Sequence, residues 1–205
     1  MIPQLSQRLG ILRKLSKHSS KQKLKVLASG LFYSKLSYCL PLFSNTWGLD
    51  NYNDERARFT SFTKEDNRRL QVLQNRLCRM LLPIDPQLLY YKQNLPTKEL
   101  LDKCGELSIH QLSAQRTLVM VKKILSSQKP SYVAEKLVSR PSIGPRSGSI
   151  IPPIHTKLII RRSGFLYRGA KLFNRLPAIL KEKEKISDFK KGVKAWVKEN
   201  VPVKP

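Results

Sequence analysis

Leucines recur every three or four residues through the first part of the chain. Leu5, Leu9, Leu12 and Leu15 predict an amphipathic helix over residues 4–18, with Arg8, Lys14 and Lys17 on its wet side. Ser19 and Ser20 break that helix and offer a cap to the next, over 21–39. Its buried positions are Leu24, Leu27, Leu31, Phe32 and Leu36, and Pro41 limits it. Residues 44–62 are rich in turn formers and read as a loop. Leu70, Leu73, Leu77 and Met80 or Leu81 then give the most regular helix, over 64–82. It carries Arg68, Arg69, Arg76 and Arg79 and is stopped by Pro83 and Pro86.

Further along, Thr97 is expected to cap a brief helix through Lys103, ended at Gly105. Ser108 and Gln111 form an S-x-x-Q capping pattern, in which each side chain satisfies a backbone donor of the other residue. The helix that follows, over 109–126, buries Ile109, Leu112, Val119 or Met120, and Ile124. Another starts after Pro130 and uses Tyr132, Val133 and Leu137. Residues 139–153 turn to Pro, Gly and Ser and read as a linker, with a short strand possible over 157–160. Residues 165–175 suit a short helix ended by Pro177. A last helix over 187–199 places Phe189, Val193 and Trp196 or Val197 on one face, with Ser187 as its cap. The fold class is mainly α.

Charge changes this picture. Of 205 residues, 39 are Lys or Arg and 14 are Asp or Glu, a formal net charge of +25. No acid precedes Asp50, and none lies between Glu135 and Glu182, where Arg140, Arg146, Arg161, Arg162, Arg168, Lys171 and Arg175 stand among other cations. Ordinary solvated surfaces alternate signs; a long one-sign stretch favours a polyanionic partner. Phosphate backbones are the natural match, because Lys and Arg bind them without regard to sequence. The bland alternative is a basic protein with solvated cations.

Other classes fare worse. Val26 to Phe43 is apolar, but Lys35 interrupts it at a cost of about 2.5–3.5 kcal/mol for insertion. A buried helix is the better reading, and no membrane partner is expected. The opening Met-Ile-Pro-Gln carries no secretory pattern. Cys39, Cys78 and Cys104 match neither a disulfide framework nor zinc-ligand spacing, so they read as reduced core thiols in a nuclear or cytoplasmic protein. No cofactor or metal is implied. His110 in a cap region, His155 in a loop and Cys104 before Gly105 lack the neighbours a nucleophile and base require.

Several motifs, in order, resemble a known family. They are Leu-Gly-Ile-Leu-Arg-Lys-Leu (9–15), Leu-Phe-Tyr-Ser-Lys-Leu-Ser-Tyr-Cys-Leu-Pro-Leu-Phe (31–43) and Leu-Gln-Asn-Arg-Leu-Cys-Arg-Met-Leu (73–81). Glu-Leu-Ser-Ile-His-Gln-Leu (106–112), Phe-Leu-Tyr-Arg-Gly-Ala-Lys-Leu-Phe-Asn-Arg-Leu-Pro (165–177) and Asp-Phe-Lys-Lys-Gly-Val-Lys (188–194) complete the series. Together they resemble the thumb and post-thumb region of the reverse transcriptase of non-LTR (LINE, jockey-like) retrotransposons, over nearly the whole chain. Phe43 and Phe173 stand where that family commonly has tryptophan. The resemblance implies a helical thumb-like module over 1–138, a linker over 139–160 and a basic, loop-rich C-terminal module over 161–205 with one or two short helices. It also implies a grip on RNA or an RNA–DNA duplex.

The polymerase centre of that family uses adjacent aspartates that hold two metal ions. No Asp-Asp pair exists in this chain, and the isolated acids Asp50, Asp54, Glu55, Glu65, Asp66 and Asp85 fit charge balance better than metal binding. The expectation is therefore a non-catalytic nucleic-acid binder. Its candidate contacts are Arg161, Arg162, Arg168, Lys171 and Arg175, with a second patch of Arg13, Lys14, Lys17, Lys21, Lys23 and Lys25 that could equally direct nuclear import. Helical spacing puts Arg168, Lys171 and Arg175 on one face. Phe165 and Tyr167 could stack on bases, although a small satellite core explains these aromatics better. Asn174, before Arg175-Leu176-Pro177, is expected to cap or turn the backbone rather than read a base. The alternatives are an assembly module whose basic surface meets an acidic protein, or a mobile-element remnant with no retained role.

Overall fold

The computed structural model describes residues 1–38, 40–43, 63–82, 95–138, 151 and 165–203. Among these residues all regular structure is helical and no strand occurs. The expected loop over 44–62, the strand over 157–160 and all of the linker except Ile151 lie outside them. The chain divides into two compact units: Met1–Leu40, Phe62–Leu112 and Val203–Pro205 form the first, Pro41–Ser61 and Ser113–Pro202 the second. The partition falls within the helix Ile109–Ser127, whereas the sequence reading placed a boundary at 139–160.

In the first unit, α1 (Ile2–Leu15) buries Leu5, Leu9 and Leu12, while Leu15 stays exposed at 36%. Arg8, expected on the wet side, is half-buried and donates from Nη1 to the Leu31 carbonyl at 2.7 Å. Ser20 caps α2 (Lys21–Ala28), accepting from the Lys23 N–H. A π-helical turn, Ser29–Tyr33, then leads into α3 (Ser34–Ser37).

That turn has a clear physical basis. Leu24, Ala28, Phe32 and Leu36 are spaced four apart, and all four are fully buried. On an α-helix each step of four drifts by about 40°, so the stripe would wander off the core by Leu36. A wider turn rotates each residue less and returns the stripe to one face. The Ser34 N–H reaches back to the Ser29 carbonyl, and the Ser34 hydroxyl donates to Gly30 O, the carbonyl that N–H would serve in an α-helix. Leu27 and Leu31, expected in the core, are half-buried. A short α4 (Leu40–Phe43) has Pro41 in its first turn, where a missing N–H costs nothing.

Thr63 and Asp66 form a reciprocal capping box at the start of α5 (Lys64–Leu81). Leu70, Leu73 and Leu77 are buried as expected. A second stripe is buried too, and it is polar: Asn67, Gln71, Gln74 and Asn75. Gln71 Nε2 donates to Gln74 Oε1 and Asn75 Oδ1, both at 3.0 Å. Gln71 Oε1 accepts the Ile109 N–H at 3.0 Å, and Gln74 Nε2 donates to Leu107 O at 2.7 Å. Asn75 Nδ2 donates to Thr97 Oγ1 at 2.9 Å. The two glutamines satisfy the backbone that enters α7 (Ile109–Ser127), where Ser108 and Gln111 form the anticipated capping box. Buried amides so paired hold the segment firmly, since leaving any partner bare costs about 1–3 kcal/mol.

Between them lies α6 (Thr97–Cys104). Its N-cap is Pro96, extended at ψ 149°, and Thr97 is the first helical residue rather than the cap. Gly105 ends it at φ +70°, a conformation that suits glycine. Cys78 and Cys104 are buried thiols, and Cys104 Sγ donates to the Cys78 carbonyl at 3.4 Å. The Cys104 thiol and burial together push the Cys78 thiol up in pKa, so it has no thiolate character.

In the second unit, the remainder of α7 contributes Ala114, Leu118, Val121 and Ile124 to a core shared with α8 (Ser131–Val138), α9 (Phe165–Asn174) and α11 (Ile186–Asn200). In α8, Ala134 and Leu137 are buried while Tyr132 is 65% exposed, contrary to expectation. Phe173 meets Phe189 at 6.3 Å between ring centroids. A Cβ on Gly169 would lie 2.7 Å from Val121 Cγ2, so α9 packs on α7 at a distance only glycine allows. Pro177 starts a turn absent from the sequence reading, α10 (Ala178–Lys181). In α11, Phe189, Val193 and Val197 are fully buried; the N-cap is Lys185, and Ser187 lies inside the helix.

Candidate nucleic-acid interface

The expected cations fall into two groups, those turned inward and those exposed. In the second unit Arg168 is half-buried, its Nη2 3.5 Å from the Pro41 carbonyl, and burial pulls its pKa down to about 10. Lys171 lies over the Tyr167 ring, Nζ 5.9 Å from the centroid, and both residues are half-buried. Arg175 is exposed, one residue past the end of α9. The three therefore do not present one solvent-facing row. Phe165 packs against the core of the second unit, the satellite-core reading of that aromatic. Arg161 and Arg162 lie outside the described residues.

Asn174 is a clamp. Its Oδ1 accepts the Ile151 N–H at 3.2 Å and its Nδ2 donates to the Ile151 carbonyl at 2.7 Å, so one amide pairs both backbone groups of a fully buried residue. The Asn174 carbonyl, at the end of α9, accepts from Lys181 Nζ at 2.8 Å. Lys181 is itself buried, which lowers its pKa, and its carbonyl accepts from Lys122 Nζ at 2.8 Å. Lys122 also lies over the Phe189 ring at 5.8 Å. These lysines neutralise helix ends, where carbonyls concentrate partial negative charge.

In the first unit the second patch surrounds the tip of the α1–α2 hairpin. Arg13 and Lys14 occupy the last turn of α1, Lys17 the connection, and Lys23 and Lys25 the exposed sides of α2; all five are exposed. Lys21 differs, because its Nζ donates to Met80 O at 2.9 Å and closes the C-terminus of α5. Arg13 and Lys14 complement the negative end of their helix. Lys25 likewise stands in the last turn of α2, whereas Lys23 lies in its first turn, where the macrodipole does not favour a cation.

Sequence reading did not single out the lysines of α11. Lys190, Lys191, Lys194 and Lys198 are all exposed. The i, i+3, i+7 spacing of Lys191, Lys194 and Lys198 was the available signal. Among the described residues no three His, Cys, Asp or Glu side chains converge on a point that could hold a metal ion. Nor is any described helix long and apolar enough to cross a membrane. No family model matches the chain, nor does any curated protein or solved structure.

Proposed function

We propose that this chain is a non-catalytic, reverse transcriptase-like protein that binds RNA or an RNA–DNA duplex through phosphate contacts. One observation carries the reading. Arg13, Lys14, Lys17, Lys23 and Lys25 are each exposed on α1, α2 or the connection between them, within residues 1–49, which contain no acid. Such a surface repels itself until it meets a polyanion. Its cations surround the hairpin tip instead of forming a base-reading row, which favours backbone contact over sequence choice. The ordered motifs resembling a retrotransposon thumb supply the nature of the duplex, and the missing aspartate pair supplies the absence of catalysis.

The test is the salt dependence of binding to an arbitrary RNA–DNA duplex. Five to eight phosphate contacts give a log–log slope of roughly −4 to −7. Replacing the five hairpin cations by alanine makes that slope shallower by about 4.5 and weakens binding evenly across sequences. A wild-type slope near zero, or no retention at low salt, overturns the reading. An acidic protein partner, or a remnant whose cations are merely solvated, would then be the surviving explanations of the surface.

A further inference from the structure

We propose that α11 carries a second phosphate-binding surface, built from Lys191, Lys194 and Lys198 and fitted to the sugar–phosphate backbone of a nucleic acid. The inference rests on the function proposed above and adds a surface in the other compact unit. At about 100° per residue the three lysines fall within roughly 60° of one another on α11. They point away from Phe189, Val193 and Val197, which are fully buried and fix the rotation of the helix. Along the axis the steps are about 4.5 and 6 Å. Flexible ammonium groups at that spacing can follow successive phosphates of one strand.

Asp188 and Glu199 fall roughly 90–110° from the centre of the lysine row, on one flank, with Asp188 one turn before Lys191. The helix dipole accounts for Lys198 in the last turn but not for Lys191 or Lys194. The exposed positions beside the row are Ser187 and Ala195, with no bulky apolar anchor, so a lipid surface is the poorer match.

The experiment compares the full chain with K191A/K194A/K198A on one labelled RNA–DNA duplex of arbitrary sequence. Alanine is the best helix former, so an unchanged helical circular dichroism spectrum is expected. Three lost contacts should make the log–log salt slope shallower by about 2.7 and leave the remaining binding to the hairpin patch. Duplex binding by the wild type with an unaltered slope in the triple variant overturns this surface alone. Failure of the wild type to bind at low salt overturns the proposed function and this surface with it. If vesicles of phosphatidylserine and phosphatidylcholine capture the wild type but not the variant, while duplex binding is equal in both, the surface belongs to a membrane and the proposal fails.

Discussion

The two compact units meet the same difficulty, polar backbone left bare where helices begin and end, with different side chains. The first uses neutral amides at depth: Gln71 and Gln74 serve the Ile109 N–H and the Leu107 carbonyl from a stripe at most 9% exposed. Its carbonyl-bound cations, Arg8 and Lys21, remain half-exposed. The second unit buries a cation, Lys181, against the end of α9. A neutral amide loses little on leaving water if its partners are complete, whereas an ammonium loses far more. Basic composition is thus no direct measure of surface charge, because some cations are consumed by the fold.

Replacing Gln71 by Leu should have the largest effect on this contrast. It strips the Ile109 N–H of its acceptor and the oxygens of Gln74 and Asn75 of a donor, at a cost of about 3 kcal/mol in denaturant unfolding. A loss under about 1 kcal/mol would mean that water can replace the amide. Gly169→Ala probes the apolar side of the second unit. Alanine favours helix by up to about 1 kcal/mol, but the collision with Val121 should win and leave a net loss of about 2 kcal/mol. A stabilised variant would show that Val121 yields readily.

Lys181→Met is the smallest effect and the most pointed. Losing the donor to Asn174 O should cost about 1 kcal/mol at neutral pH, partly offset by removing a buried charge. The pH dependence carries the sign. Burial holds the Lys181 ammonium below its ordinary value of 10.5, so above the folded pKa the unfolded chain binds more protons. Wild-type stability relative to the variant should therefore rise as pH climbs toward 10.5. A flat difference across that range would mean the ammonium is well solvated.

The helices were legible where their causes are local. Leu70, Leu73 and Leu77 repeat at one period, and Ser108 and Gln111 cap each other across three residues. Caps supplied by conformation instead of a side-chain acceptor were misplaced: Pro96 and Lys185 are merely extended, yet they precede their helices where Thr97 and Ser187 were expected. The amide stripe could not be read, because its partners stand 22 to 38 residues away. For the site, exposed Arg13 and Lys14 were legible, but nothing local distinguishes them from Lys21, Arg168 or Lys181, which the fold turns to carbonyls or buries. Acids close by in sequence, Asp188 and Glu199, concealed the α11 lysines.

The turn at Ser29–Tyr33 means that the chain holds one amino acid more than a plain helix needs to join Leu24 to Leu36. Removing exposed Gly30, whose surroundings are open, would convert the four–four–four interval into four–three–four, the rhythm of an unbroken coil. Shortening by one there is thus a repair, while the same deletion inside α5 would swing every later leucine by a quarter of a revolution.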